Sequence, residues 1–227
     1  MRILSLETIA AAGSVALLDD ERIVAELELD TVRRSAQSLA PGIAHLLERA
    51  GWRPADVELV AVASGPGSFT GLRIGITTAK AFAYAVGCHV VGVNSLLTVA
   101  ARAPREPGAV SAAIDAQRGE LFVADFQRQP DGQLTGVETT RIVDAKQWLA
   151  SLPGGAALTG PGLSKHLAAI PQGTILVEAA LWSPTASIVG QLGRGLVLAG
   201  QGVSPFELVP QYFRRTAAEE KWDAKRA

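Results

Sequence analysis

Three short apolar runs open the chain: Arg2–Leu6, which ends at Glu7, then Gly13–Leu18 and Arg22–Leu29, the last two separated by the polar Asp19-Asp20-Glu21. Runs of this kind joined by a polar turn predict three strands. Leu39, Ile43, Leu46 and Leu47 then recur at helical spacing and predict a helix over Gln37–Ala50, ended by Gly51. The apolar stretch Glu58–Ala63 reads as a buried strand, and a long helical segment over Thr70–Val86 follows it. A strand at His89–Val93 and a helix from Ser95 to about Ala103, capped by Asn94-Ser95, complete the first half.

Arg102–Gly108 places prolines and a glycine between patterned segments and reads as a linker. After it the layout recurs. Ala109–Ile114 ends at Asp115, Glu120–Gln127 follows Arg118-Gly119, and a Pro130-Asp131-Gly132 turn leads to Leu134–Thr140. Helices are predicted near Asp144–Ser151 and Leu163–Ala169, with strands at Ala156–Thr159 and Thr174–Val177. A long helix over Pro184 to about Ala199 takes Ser183 as its cap and Pro184 in its first turn, and Thr216–Arg226 also reads as helical, with Trp222 packed inward. Each half thus opens on a strand ending in a carboxylate, Glu7 or Asp115, continues with two hairpin strands, and then alternates helices with strands. A duplicated β-β-β-α-β-α unit is the architecture of the two-lobed actin-like and sugar-kinase (ASKHA) superfold, an α/β class.

Composition narrows the function classes. The chain has 227 residues, 48% of them apolar, and a formal net charge of −1. It can bury a large core, and its overall charge is not that of a basic nucleic-acid binder. Its single cysteine, Cys88, rules out an intramolecular disulfide framework and reads as a buried, inert thiol. Neither a signal-peptide core nor a membrane-spanning run is found, so a cytoplasmic location with no membrane partner is expected. His45, His89 and His166 are far apart in the sequence, so no metal site is expected; His-Glu-x-x-His and Gly-x-Ser-x-Gly are both absent.

The most distinctive segment is Gly65-Pro66-Gly67-Ser68-Phe69-Thr70-Gly71-Leu72-Arg73-Ile74-Gly75. Strand, glycine-rich turn and helix is an arrangement that presents backbone N–H groups to an anion. The segment nevertheless fits neither a Walker loop nor a dinucleotide fingerprint, because Gly71 is followed by Leu72 and Thr70 stands where the third glycine would be. Small residues recur every four positions at Gly71, Gly75, Ala79 and Ala83. That stripe suits either close packing inside the protein or, with Leu39, Ile43 and Leu46, half of a four-helix interface. Arg73 is placed to meet a phosphate or a partner carboxylate.

This segment resembles the signature of the bacterial TsaB, or YeaZ-like, family. Met1–Thr8 is similar to that family's opening strand, Ile114–Ala124 to its second signature and Val209–Arg214 to its C-terminal segment. The resemblance implies a non-catalytic subunit in tRNA threonylcarbamoyladenosine synthesis. It would pair with a TsaD-type catalytic subunit, form a homodimer when alone, help receive a TsaE-type ATPase, and meet tRNA only through the complex. No catalytic residue and no cofactor of its own are implied, apart from an adenine nucleotide at the complex interface. The family's partner helices map here to Leu39, Ile43, Leu46, Phe69, Leu72, Arg73, Ile76, Ala79 and Ala83, and the superfold's nucleotide positions to Glu7, Thr8, Gly65, Gly67 and Asp115. Where the family has Asp-Thr-Ser, this chain has Glu7-Thr8-Ile9, so Glu7 is expected to order its own turn rather than act in catalysis. The terminal helix is expected on the first lobe, which gives lobes 1–103 plus 205–227 and 104–204. Competing classes are an ATP-dependent small-molecule kinase of the same superfold, a metal-dependent peptidase-like enzyme and a plain homodimeric binding module.

Overall fold

Strand β1 (Arg2–Glu7) is the middle of a five-stranded sheet in the order β3-β2-β1-β4-β5. β2 (Ser14–Asp19) and β3 (Arg22–Glu28) form an antiparallel pair on one side of it, while β4 (Leu59–Gly65) and β5 (His89–Asn94) run parallel to it on the other. The computed structural model describes residues 1–29, 35–137, 139–152, 155–214 and Trp222.

The second sheet repeats that plan. β6 (Ala109–Gln117) is flanked by antiparallel β7 (Glu120–Arg128) on one side and by parallel β10 (Ala157–Thr159) and β11 (Ile175–Leu176) on the other. β8 (Leu134–Gly136) and β9 (Arg141–Asp144) both pair with β7. The protein is therefore a two-lobed α/β structure of the actin-like and sugar-kinase kind, as the repeated layout predicts.

Alternation along the strands sorts the core. Leu4, Leu6, Val15, Leu17, Val60 and Val62 face one side of the first sheet, where α1 (Ser35–Ala50) and α2 (Phe69–Val86) cover them. Ile3, Ala16, Leu18, Leu59 and Ala61 face the other side, covered by α5 (Ala186–Leu198). Although α5 comes from the second half of the chain, it lies on the first sheet. A Cβ at Gly190 would sit 2.5 Å from Leu18 Cδ1, so only glycine allows the helix this close. α3 (Ser95–Ala101) and α4 (Ala145–Ala150) join the core of the second sheet through Leu96, Val99, Ala145 and Leu149.

Several boundaries differ from the sequence-based ones for physical reasons. Of the strand expected over Leu134–Thr140 only Leu134–Gly136 forms a strand, β8, and β9 begins at Arg141, just after the expected range. The helix expected over Leu163–Ala169 is a pair of 3-10 turns, Pro161–Lys165 and Leu167–Ala169. There Gly162 presses against β6, since a Cβ on it would lie 2.8 Å from the Ile114 carbonyl carbon, and each piece is too short to sustain an α-helix. The long helix starts at Ala186, with Thr185 rather than Ser183 as its N-cap residue, and Pro184 lies before the cap. Its first N–H groups are capped from other strands: Ser14 Oγ accepts from Ala186 and Glu26 Oε1 from Ser187, each at 2.9 Å. The expected Thr216–Arg226 helix lies outside the described residues except for Trp222, which is exposed rather than packed inward. No helix among the described residues is long and apolar enough to cross a membrane.

Candidate functional site

Ser68 opens α2, accepting the Gly71 N–H on its hydroxyl, and Gly87 closes it in the left-handed conformation. The turn before α2 forms one wall of a cleft of about 440 Å³, lined by Pro66, Gly67, Ser68, Phe69 and Thr70. Asp115, Gln117, Arg118 and Phe122 of the β6–β7 hairpin face it, and residues 211–214 complete it. Three of the four segments singled out in the sequence for their motifs thus converge on one place.

The last of them belongs to a strap over residues 203–214. Val203 bridges to Val90, Leu208 is buried in the first lobe's core, and Lys80 Nζ donates to the Leu208 carbonyl at 3.0 Å. The Gln211 N–H then donates to the Ser64 carbonyl at 2.8 Å, and Tyr212 stacks on Phe69 with ring centres 4.8 Å apart. Arg73 lies over the Phe69 ring at 4.0 Å and donates through Nε to Tyr212 Oη at 3.0 Å. Beyond that the strap reaches the second lobe. Phe213 meets Phe122 edge-to-face, Arg214 donates to the Ala116 carbonyl at 2.6 Å, and the same guanidinium pairs with Glu120. The strap therefore ties both lobes to the cleft wall.

The two strand-end carboxylates differ sharply. Glu7 is 0% exposed; its Oε1 accepts the N–H groups of Ile9 and Ala10 at 2.6 and 3.0 Å, and its Oε2 has no partner among the described residues. Burial pushes its carboxyl up to about 7, against the pull of those two N–H groups. Asp115 sits at the cleft, two residues before the end of β6, accepting from Lys165 Nζ at 2.5 Å and from the Gln117 N–H at 2.8 Å. Partial burial raises its carboxyl, but the Lys165 and Gln117 bonds outweigh that and hold it below the ordinary carboxylate value.

The sequence-based site residues divide accordingly. Gly67 and Asp115 line the cleft; Glu7 and Thr8 are buried behind it, and Gly65 is sealed by the Gln211 carbonyl, which a Cβ would approach to 2.5 Å. As expected of Glu7, its carboxyl orders its own turn. Leu39, Ile43 and Leu46 on α1 and Leu72, Ile76, Ala79 and Ala83 on α2 are buried within the first lobe, which corrects their assignment to a docking face. A helix lying on a sheet turns its apolar stripe inward, so that stripe is core and not surface. Gly71 and Gly75 press α2 onto Thr8, which donates through Oγ1 to the Gly71 carbonyl at 2.8 Å. Phe69 is half-buried and Arg73 exposed. The outward surface belongs instead to Ala40, Ala44 and Glu48 on α1 and to Arg73, Thr77, Ala81 and Tyr84 on α2.

Cys88 is half-buried, and burial pushes its thiol up to about 11, which leaves almost no thiolate at neutral pH. Among the described residues no cluster of three or more His, Cys, Asp or Glu side chains is arranged to hold a metal ion.

Residues 28–159 match the family model described as TsaD: tRNA N6-adenosine threonylcarbamoyltransferase. The chain is 32% identical to the tRNA threonylcarbamoyladenosine biosynthesis protein TsaB of Escherichia coli, over 99% of this chain and 100% of that one. It is 31% identical to the Bacillus subtilis protein of the same name, with 98% of each chain covered. Among solved structures, YeaZ from Pseudomonas aeruginosa superimposes with a TM-score of 0.82 at 30% identity, covering 93% of this chain and 99% of that one.

Proposed function

Since the chain belongs to the TsaB, or YeaZ-like, family, we propose that it serves tRNA threonylcarbamoyladenosine biosynthesis as a non-catalytic subunit docked on a TsaD-type catalytic partner. The observation that carries this reading is near-full-length similarity to proteins named for that pathway. The docking face is formed by the outward sides of α1 and α2, where Ala40, Ala44, Thr77 and Ala81 leave room for two partner helices and Arg73 and Tyr84 supply the anchors. Alone, the same face pairs with a second copy, so partner and self compete for it. In the assembled complex the subunit supports the TsaE-type ATPase and tRNA without forming or breaking bonds.

The test is light scattering on a sizing column, with the protein alone and mixed with the TsaD of the same organism. A one-to-one peak that grows at the expense of a homodimer is expected. Ala81→Glu and Ala44→Glu place a charge on the surface and are expected to abolish that peak while the monomer stays folded. Charges at Leu39 or Ala79 would instead unfold the lobe, because those positions are buried. Retained pairing in both folded surface variants would refute the proposed face.

A further inference from the structure

We infer that Glu7 is a proton-controlled latch behind the cleft wall: its neutral carboxyl holds the Thr8–Gly13 loop shut beneath the Gly65–Ser68 turn, and loss of the proton loosens that loop together with the first turn of α2. The inference does not depend on what docks on the chain.

Its basis is a carboxyl that is fully enclosed and only half satisfied. Oε1 holds the loop through the Ile9 and Ala10 N–H groups, while Oε2 is buried with no partner among the described residues. A carboxylate anion needs donors on both oxygens or a cation beside it to tolerate such burial. Alternation along β1 sets Glu7 on the same side as Ile3 and Ser5, facing α5, and directly opposite Ser14 on β2.

Among the described residues, the elements around it supply no cation. On β1 the only other charged residue is Arg2, at the far end, and on β2 it is Asp19, also at the far end. On β3 the groups on this side are Glu26, which accepts the Ser187 N–H, and Glu28, opposite Ser14; both are acidic side chains. β4, α3, the first turn of α5 and the Thr8–Gly13 loop contain no ionisable side chain. On α2, Arg73 is engaged with Phe69 and Tyr212, and Lys80 with the Leu208 carbonyl.

The loop cannot shift without moving the cleft. A Cβ at Gly67 would sit 2.8 Å from Ile9 Cβ, one at Gly71 would strike the Thr8 carbonyl oxygen, and Thr8 Oγ1 is bonded to the Gly71 carbonyl. Ser68 and Phe69, which line the cleft, lie between those contacts.

The sign follows from linkage. Closed, the carboxyl titrates at about 7; opened to water it returns to 4.5, so the closed form holds the proton more tightly. Opening therefore increases up to tenfold for each pH unit between those two values and levels off above the upper one.

Amide hydrogen exchange at Ile9, Ala10 and Gly71, corrected for intrinsic rate, reads the opening directly. Between about pH 5 and 8 the opening equilibrium is expected to rise by more than about tenfold in the wild-type protein and to stay flat in Glu7→Gln. Val123 in the second sheet is expected to show no such change in either. A flat wild-type profile, or an equal slope in Glu7→Gln, would overturn the inference. Should the Gln variant not fold, the carboxyl-carbon NMR shift of Glu7 in the wild-type protein decides instead. A midpoint near 7 supports the latch, and one at the ordinary value of 4.5 removes it.

Discussion

Glu7 and Asp115 occupy matching places, each on the central strand of a sheet with antiparallel strands to one side and parallel strands to the other. One is sealed in the interior with its carboxyl raised; the other stands at the cleft, paired with Lys165 and lowered. The difference comes from what covers each strand end. In the first lobe the Thr8–Gly13 loop folds over Glu7 and the start of α5 covers its face of the sheet, while α2, pressed by Gly71 and Gly75 onto Thr8, closes the strand end from the other face. In the second lobe the corresponding connection between β10 and β11 is a pair of 3-10 turns, and the second of the two cleft-facing lobes keeps its carboxylate wet. A shared topology therefore does not give a shared site; what folds over each strand end decides whether its carboxylate is a solvated ion or a buried acid.

The harshest way to break this contrast is to pry off the cover. Gly71→Val would drive side-chain atoms into the Thr8 carbonyl, and we expect a loss of about 4 kcal/mol or failure to fold, read by urea denaturation. A contrasting change close to Asp115, outside the cover, is Gly119→Ala in the β6–β7 turn. There φ is +81° and nothing lies within 4 Å of the new Cβ, so only the backbone conformation resists, at about 1–2 kcal/mol. Equal losses in the two variants would show that Gly71 does not seat α2 on the Thr8 backbone as its close contacts require.

A proton titration sharpens the same contrast. Glu7 has a raised value when folded, so its stabilising contribution is complete below 4.5 and is lost as pH rises to about 7. The difference in unfolding free energy between wild type and Glu7→Gln is expected to fall by about 3 kcal/mol across that window, the other titrating groups cancelling in the subtraction. Chemical denaturation at several pH values measures it, and a constant difference would mean that Glu7 is not buried as an acid.

Much of this was legible in the amino-acid order. The apolar run Arg2–Leu6 and the helical spacing of Leu39, Ile43 and Leu46 located their elements to within a residue or two. The three motif segments were also recognisable, although only tertiary structure brings Phe69, Asp115 and Tyr212 to one cleft. What local pattern does not carry is which neighbour an apolar stripe meets. The spacing of Leu72, Ile76 and Ala79 suits docking surface or core, the family resemblance favours the docking surface, and the sheet beneath them makes them core. A signal for the buried acid was present: Glu7 shares a strand face with Ile3 and Ser5, and the Thr8–Gly13 stretch that follows offers it no ionisable partner. The strap was visible only as a motif near its end, because its course depends on contacts with Val90, Ser64 and Lys80 far away in the chain.

Between the two carboxylates in effect lies the aromatic contact that holds the strap on the first lobe. Tyr212→Ala removes the stacking on Phe69 and the hydroxyl that accepts from Arg73, and about 1 kcal/mol is expected to be lost in thermal or chemical unfolding. A larger loss would mean that the strap holds the lobes together rather than lying over them.

The smallest effect belongs to the exposed partner of the comparison. Asp115→Asn removes the charge facing Lys165 and keeps an oxygen able to accept the Gln117 N–H. The side chains of the pair are 33% and 68% exposed, so water and salt screen most of their attraction. We expect less than about 1 kcal/mol of lost stability, shrinking further at high ionic strength. Asp115 is lowered when folded, so its contribution is present above the ordinary value of 3.8 and fades as pH falls below it, the reverse of Glu7. Denaturation of Asp115→Asn at low and high salt checks both points. A loss as large as that predicted for Glu7 would mean that the cleft is as dry as the interior, and the distinction between a sealed acid and a solvated ion would then have to be abandoned.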